Sequence, residues 1–294
     1  MKKYLKNFYN IRIDNIYKDK SNYIFKYQEY LFLLYRFQED DKKIITVKEI
    51  IEKLHSNNVP VHALVMNKYS KYITLIENEK YVLMRVIATE KSITEKNILN
   101  FFYKVSYGEC EWKKLWIAKL DYYEKRLIED FNNNIEMKTF FEYYSGFVEI
   151  GIDAIFQKNF YDLYITHKRI TNNPIDYYNP FNFTIDLKVR DIAEYIKFIF
   201  YSEILSKQKF DLGLIYDKLE FIETNCQLKD DEKFMLFVRL LYNTDFYDFY
   251  EKIINGESTE KNIRLAIKNT KEYEKLLLYL YNKINFYVKL PNFI

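Results

Sequence analysis

Histidine, cysteine, glycine and proline are all scarce in this 294-residue chain: three, two, five and four respectively. His55, His62 and His167 are too few and too scattered for a histidine-rich metal site. Cys110 and Cys226 stand alone, with no metal-ligand spacing and no histidine nearby in sequence, which excludes a disulfide framework and reads as two buried thiols in a reducing cytoplasm. No Gly-x-Ser-x-Gly elbow occurs, so the common serine-hydrolase arrangement is excluded. No glycine precedes Gly108, so the first third of the chain has no glycine-rich phosphate loop. No apolar run reaches the roughly 18 residues of a membrane span. The opening Met1-Lys2-Lys3-Tyr4-Leu5-Lys6 has no apolar core behind it, so no secretory signal is read and a cytoplasmic protein is expected.

What remains is the composition of a folded protein. Hydrophobic residues make up 49% and charged residues 30%. The net charge of +3 is too balanced to imply nucleic acid or an anionic membrane, and no basic and aromatic patch is organised like a nucleic-acid module. Tyrosine (30) and phenylalanine (24) are abundant, and only eight of the 45 basic residues are arginine. An AT-rich coding sequence accounts for that bias. Tyrosines exposed for surface cross-linking are the functional alternative.

The chain changes character near residue 88. Before it, strand-like runs dominate: Tyr23–Gln28, Tyr30–Phe37, then Val61–Met66, Tyr72–Ile76 and Tyr81–Val86, the last two joined by a tight turn at Glu77-Asn78-Glu79. One helix interrupts them. Thr46 and Glu49 suggest a capping box, Val47, Ile50, Ile51 and Leu54 share a face, and Asn57-Asn58 end it. From Ser92 onward the periodicity is helical. A second capping box, Ser92 with Glu95, heads a helix through about Tyr103, and Trp112, Leu115, Trp116, Leu120, Tyr123 and Leu127 form an amphipathic stripe. A further helix runs near Lys138–Lys158. Residues 160–188 break the pattern with strand-like pieces and the turns Asn172-Asn173-Pro174 and Asn179-Pro180, and helices then resume from Val189 to about residue 287. The reading is an α+β protein of two lobes, a small β-rich lobe over 1–88 and a larger helical lobe over 89–294, with a hinge near 87–91.

The stretch "YITHKRITNNPIDYYNPFNFTIDLKVRDIAEYIKF", beginning at Tyr164, resembles the catalytic and metal loops of the aminoglycoside and choline kinase superfamily, a protein-kinase-like fold. Its Arg190-Asp191-Ile192-Ala193-Glu194 run is most similar to the spore-coat (CotS/YutH-type) branch. The loops degenerate over 164–191. The resemblance makes His167 the loop histidine and puts Arg169 where the superfamily has its catalytic aspartate. It makes Asp186 the metal-holding aspartate and Asp191 the brace of the catalytic loop. Pro174 stands near the metal-binding asparagine, with Asn173 a weak substitute one residue early. The phosphate-clamping lysine belongs on the strand 30–37, which has none; Leu34 takes its place, with Arg36 two residues on along the same face. Glu49 or Glu52 is the candidate helix glutamate.

Each position also has a plainer reading. Asp186 can be a helix cap rather than a metal ligand, Asp191 and His167 can be structural, and Arg169 can pair with a nearby carboxylate or clamp an anion. An arginine cannot act as a general base, because its guanidinium has no acceptor and stays protonated. The implied function is a pseudokinase used for binding or assembly, in the cytoplasm or incorporated into a bacterial spore coat, with other coat or cytoplasmic proteins as partners and no cofactor needed. ATP and Mg²⁺ are expected to bind weakly or not at all. The alternatives are an active ATP-dependent phosphotransferase acting on a small hydroxylated or amino substrate, and a nucleotide sensor that binds without transfer.

Overall fold

The computed structural model describes residues 1–87, 91–105, 112–130, 135–156, 162–206, 210–256 and 261–284. Cys110, most of the hinge read at 87–91, the Trp112 side chain and the end of the last expected helix lie outside the described residues. In chain order come α1 (Lys2–Tyr9), β1 (Tyr17–Asp19), β2 (Asn22–Tyr27), β3 (Tyr30–Arg36), α2 (Lys43–Ser56), β4 (Ala63–Val65), β5 (Ile73–Ile76) and β6 (Glu79–Arg85). Then follow α3 (Glu95–Asn100), β7 (Tyr103–Val105), α4 (Trp112–Asp130), α5 (Ile135–Phe156), β8 (Leu163–His167), α6 (Pro174–Tyr177), a 3₁₀ turn (Pro180–Asn182) and β9 (Phe183–Asp186). Among the described residues, six helices follow: α7 (Val189–Leu205), α8 (Leu212–Cys226), α9 (Asp230–Leu241), α10 (Thr244–Ile254), α11 (Lys261–Lys268) and α12 (Thr270–Tyr281).

Two compact units form. One is Met1–Ile93 with Thr171–Phe183, the other Thr94–Ile170 with Thr184–Ile294. The division therefore falls at Ile93 rather than residue 88, and 171–183 leaves the lobe to which sequence order assigns it. Side-chain contacts explain this. Phe181 is buried and stacks on Tyr35 of β3, with ring centroids 5.0 Å apart and planes within 1° of parallel, and it meets Phe37 at 5.4 Å. The Ile93 amide donates to Asn172 Oδ1 at 3.1 Å. Aromatic pairs of this kind add stability beyond their buried area, and no local pattern announces a partner some 140 residues away.

The first unit is built on an antiparallel sheet in the order β1-β2-β3-β6-β4, with β5 and β4 pairing successive halves of β6. Glu77 and Asn78, at φ 50° and 68°, turn β5 into β6 with the left-handed geometry that suits the twist of a hairpin. Leu5 of α1, Ile11, Phe25, Phe32, Leu34 and Leu83 form a core on one face of the sheet. Helix α1 and β1 are additions to the elements expected from sequence. Helix α2 begins at Lys43, before Thr46, and the expected capping box there does not form. Asp40 supplies the reason: its carboxylate accepts from the Lys42 amide at 2.8 Å and turns the chain into the helix a turn sooner. Asn57 ends the helix, with Asn58 at φ 58°.

In the second unit, α3 is capped by Thr94 with Asn97, not by Ser92 with Glu95. The helix stops at Asn100, and Tyr103–Val105 pairs with β8 instead, placing Tyr103 opposite Ile165. Trp116, Leu120, Tyr123 and Leu127 of α4 are buried as their spacing implies, while Leu115 is 52% exposed. Many tyrosines are core residues here, and few of the described ones are exposed. Tyr144, Tyr177, Tyr195, Tyr247, Tyr250 and Tyr273 are among the largest fully buried side chains, and Tyr17, Tyr30, Tyr69 and Tyr122 are the exposed ones among the described residues.

His62 ties the segment 171–183 into the first unit. Its amide donates to Tyr178 O at 3.0 Å, its Nε2–H donates to Ile175 O at 2.9 Å, and its Nδ1 accepts from the Ile87 amide at 3.3 Å. Burial, opposed only by the Ile175 bond, lowers its pKa to about 4. An unfolded chain takes up a proton near pH 6.5 that the folded one refuses until about pH 4. Stability is therefore full above the unfolded value and falls as the pH drops through this window, by about 3 kcal/mol in total. Denaturant titrations compare wild type with His62→Gln from about pH 6.5 to about pH 5, above the ordinary carboxylate range. The wild type should lose stability relative to the variant, a comparison that cancels the contributions of other titrating groups.

Candidate functional site

The candidate loop lies at the end of β8, in the second unit. His167 is fully buried; its amide and its Nδ1–H donate to the two oxygens of Asp191, each at 2.7 Å, and its ring lies 4.3 Å from that of Phe101. Asp191, in the first turn of α7, thereby fixes the loop to the helix that follows it. Arg169, two residues on, makes a bidentate pair with Asp248 of α10, from Nε at 2.7 Å and from Nη2 at 2.8 Å, and lies 3.6 Å from Glu194. Burial opposes its charge, but Glu194 and Asp248 outweigh burial and hold its pKa above the ordinary value.

Asp186, at the end of β9, is 1% exposed. Arg190 Nη1 donates to its Oδ2 at 2.8 Å, Arg239 Nη2 donates to its Oδ1, and the Leu187 amide donates to the same oxygen at 2.7 Å. Burial pushes its carboxyl up, and Arg239 and Arg190 more than reverse this, leaving it below the usual carboxylate range. Arg190 also reaches back to the loop, donating to His167 O at 2.7 Å and to Lys168 O at 3.1 Å. One guanidinium thus spans both the metal-loop aspartate and the catalytic-loop backbone.

A second buried pair completes the cluster. Lys197 is 1% exposed and donates to Glu194 at 2.7 Å and to Thr244 Oγ1 at 2.5 Å. Burial opposes the charge of Glu194, but Lys197, Arg169 and Arg190 hold its pKa at about 2. Asp245 moves the other way, pushed up to about 7 by burial and by Glu194.

Three expected site positions lie in the first unit and have other uses. Leu34 is fully buried in the core shared with α1, on the sheet face opposite Tyr35 and Phe37. A lysine meant to reach a helix glutamate needs the face turned toward α2, which packs against the turn carrying Phe181. Leu34 is therefore a core residue rather than the clamp position. Arg36 is committed to Glu79, donating from Nε at 2.6 Å and from Nη2. Asn173 caps α6, its Oδ1 accepting from the Ile175 amide at 3.0 Å, with Pro174 at the first helical position. Glu49 and Glu52 are exposed, Glu52 lying 3.5 Å from Lys48.

Sequence reasoning missed Arg239, Lys197, Lys119 and Asp248. Two of them did leave a signal. Arg239 interrupts the apolar run Phe234–Leu241, and Lys197 sits in Tyr195–Phe200, so each is a charge in a helix stretch apolar all round, where a buried partner is required.

Removing Asp186 would leave Arg190 and Arg239 facing each other without their shared anion. Asp186→Ala should destabilise the second unit by about 3–5 kcal/mol, read in denaturant titrations by the fluorescence of Trp112 and Trp116, both on α4. An unchanged midpoint would remove the structural role assigned to this aspartate.

The architecture has solved counterparts. An aminoglycoside phosphotransferase from Alicyclobacillus acidocaldarius superposes with a TM-score of 0.61 at 9% identity, covering 92% of each chain. The spectinomycin phosphotransferase APH(9)-Ia, solved with ADP and spectinomycin, gives 0.53 at 14% identity, covering 95% of this chain and 97% of that one. At such identities the likeness establishes the kinase-like fold alone. No curated protein matches the sequence. The family model described as "Spore coat putative kinase YutH" matches residues 2–280. With its antiparallel sheet, helical remainder and an Arg-Asp-Ile-Ala-Glu run opening α7, the chain belongs to the YutH family of spore-coat kinase-like proteins.

Proposed function

We propose that this protein is a pseudokinase, a kinase-like scaffold that serves binding or assembly in the spore coat rather than phosphate transfer. The observation that carries the reading is the state of Asp186, both of whose oxygens are taken by guanidinium groups of its own chain. A Mg²⁺ ion there would face two arginine cations; at an effective dielectric of about 20, each unit-charge pair at about 4 Å costs about 4 kcal/mol. The residues present do not suit the metal, and Asn173 already serves as a helix cap. Arg169, at the position of the general base, is locked to Asp248 and cannot accept a proton. Membership of a spore-coat family supports the coat as its place of work.

The alternative, a phosphotransferase with rearranged groups, needs another base. Asp245 favours that reading, since a carboxyl with a pKa of about 7 is poised to take a proton near neutrality.

Calorimetry with Mg²⁺–ATP should show no saturable binding in the low-micromolar range. Radiolabelled ATP should transfer no phosphate to spectinomycin, aminoglycosides, choline or a generic protein, with an active aminoglycoside kinase assayed alongside. Robust turnover would overturn the reading, and turnover abolished by Asp245→Asn would establish the alternative.

A further inference from the structure

We propose that the cluster around Arg169 is a binding site for a phosphate-class oxyanion, held directly by side chains without a metal. This rests on the reading of the loops as degenerate, and it names what the altered site would take. The cavity lies wholly within the second unit, between α4, α7, α9 and the end of β8. Its volume is about 50 Å³. A water needs about 10–15 Å³ measured in this way, so there is room for a few waters or one tetrahedral oxyanion, and not for a nucleotide.

The lining is cationic. Lys119, Arg169, Arg190, Lys197 and Arg239 converge on the cavity, with Glu194 as the one carboxylate that lines it. Counting the direct ion-pair partners Asp186 and Asp248 as well, five cations meet three carboxylates. The fields of Asp245 and Glu251 also reach the cluster, and burial together with Glu194 keeps Asp245 only part-ionised near pH 7. Lys119 is the cation with no carboxylate of its own among the described residues. Its ammonium forms no ion pair among them, and burial and the charges of Arg169 and Arg190 push its pKa down against the opposing pull of Asp248 and Glu251. A half-buried cation that lacks an ion-pair partner and whose charge is disfavoured on balance is stabilised by an incoming anion. Planar guanidinium groups suit the oxygens of phosphate in bidentate geometry. Their dense placement here replaces the attraction that a divalent ion would otherwise supply.

Trp116 provides a direct readout. It lines the cavity, stacks on Tyr242 at 4.8 Å and carries Arg239 at 5.6 Å over its ring. An anion that draws on Arg239 must change its fluorescence.

The experiment titrates the full chain with inorganic phosphate, phosphoserine and chloride in a phosphate-free buffer, following tryptophan fluorescence and thermal stability. Mg²⁺–ATP turnover is measured on the same preparation. Saturable binding of phosphate or phosphoserine, not reproduced by chloride at equal ionic strength, is the expected result. Tighter phosphoserine binding would identify a phosphorylated partner residue as the source, and tighter inorganic phosphate binding the free anion. Lys119→Gln should weaken the affinity by about tenfold or more, the loss of one charge-assisted bond. Lys48→Gln, on α2, should leave it unchanged. Circular dichroism confirms that both variants fold. No saturable response, or equal responses in wild type and Lys119→Gln, overturns the anion site and leaves the pseudokinase reading standing. Turnover of Mg²⁺–ATP overturns both.

Discussion

A single buried negative charge organises the candidate site. Asp186 cannot stay ionised in the interior without compensation, because an isolated charge there would be neutralised or expelled. Arg239 and Arg190 compensate it, and each brings its own element: α9 from one direction and the first turn of α7 from another. Arg190 then uses its other nitrogens to hold the carbonyls of His167 and Lys168. The end of β8, the end of β9, α7 and α9 are therefore tied to one carboxylate. Buried pairs of this kind contribute more to a unique arrangement than to net stability, and they are costly to break one partner at a time.

The same constraint underlies the proposed loss of phosphate transfer. In the kinase-like arrangement that the loop resembles, an aspartate in the position of Asp186 is available to a metal and an aspartate in the position of Arg169 to a proton. Here both positions have been drawn into a guanidinium–carboxylate lattice that extends through Glu194, Lys197 and Asp248. In this chain the carboxylates are balanced by arginine and lysine. The excess of cations lining the cavity is the basis of the anion site proposed above.

The first unit follows a different logic, one of aromatic burial. Phe181 stacked on Tyr35 and His62 bonded to three backbone groups bring residues 171–183 into it. His62 can serve this way only as the neutral imidazole, which is why its burial makes the unit sensitive to acid. Of the tyrosines that composition alone leaves open to surface use, eleven are buried among the described residues and four exposed, several with hydroxyls bonded internally, as Tyr273 is to Leu240 O at 2.7 Å.

The sequence by itself determined much of this protein. Periodicity of two and then of 3.6 set the strands of the first unit and the helices of the second, because side-chain alternation and helical stripes are local properties. Helices α7 to α12 fall within the stretch from Val189 to about residue 287 that the sequence reads as helical, and the resemblance of residues 164–198 was enough to indicate the superfamily and the branch. Arg169 was legible as a residue that cannot be a base, since that follows from its chemistry and not from its surroundings. Capping was less legible: Asp40 and Thr94 outcompeted Thr46 and Ser92, because several polar residues near a helix start can each satisfy the same orphan amides. Tertiary structure alone decided the rest. It set Leu34 on the core face, assigned 171–183 to the first unit, and chose Asp248, Arg239 and Lys197 as the partners of the loop. Those outcomes depend on which charges and rings meet across scores of residues, and a linear pattern carries no record of distance in space.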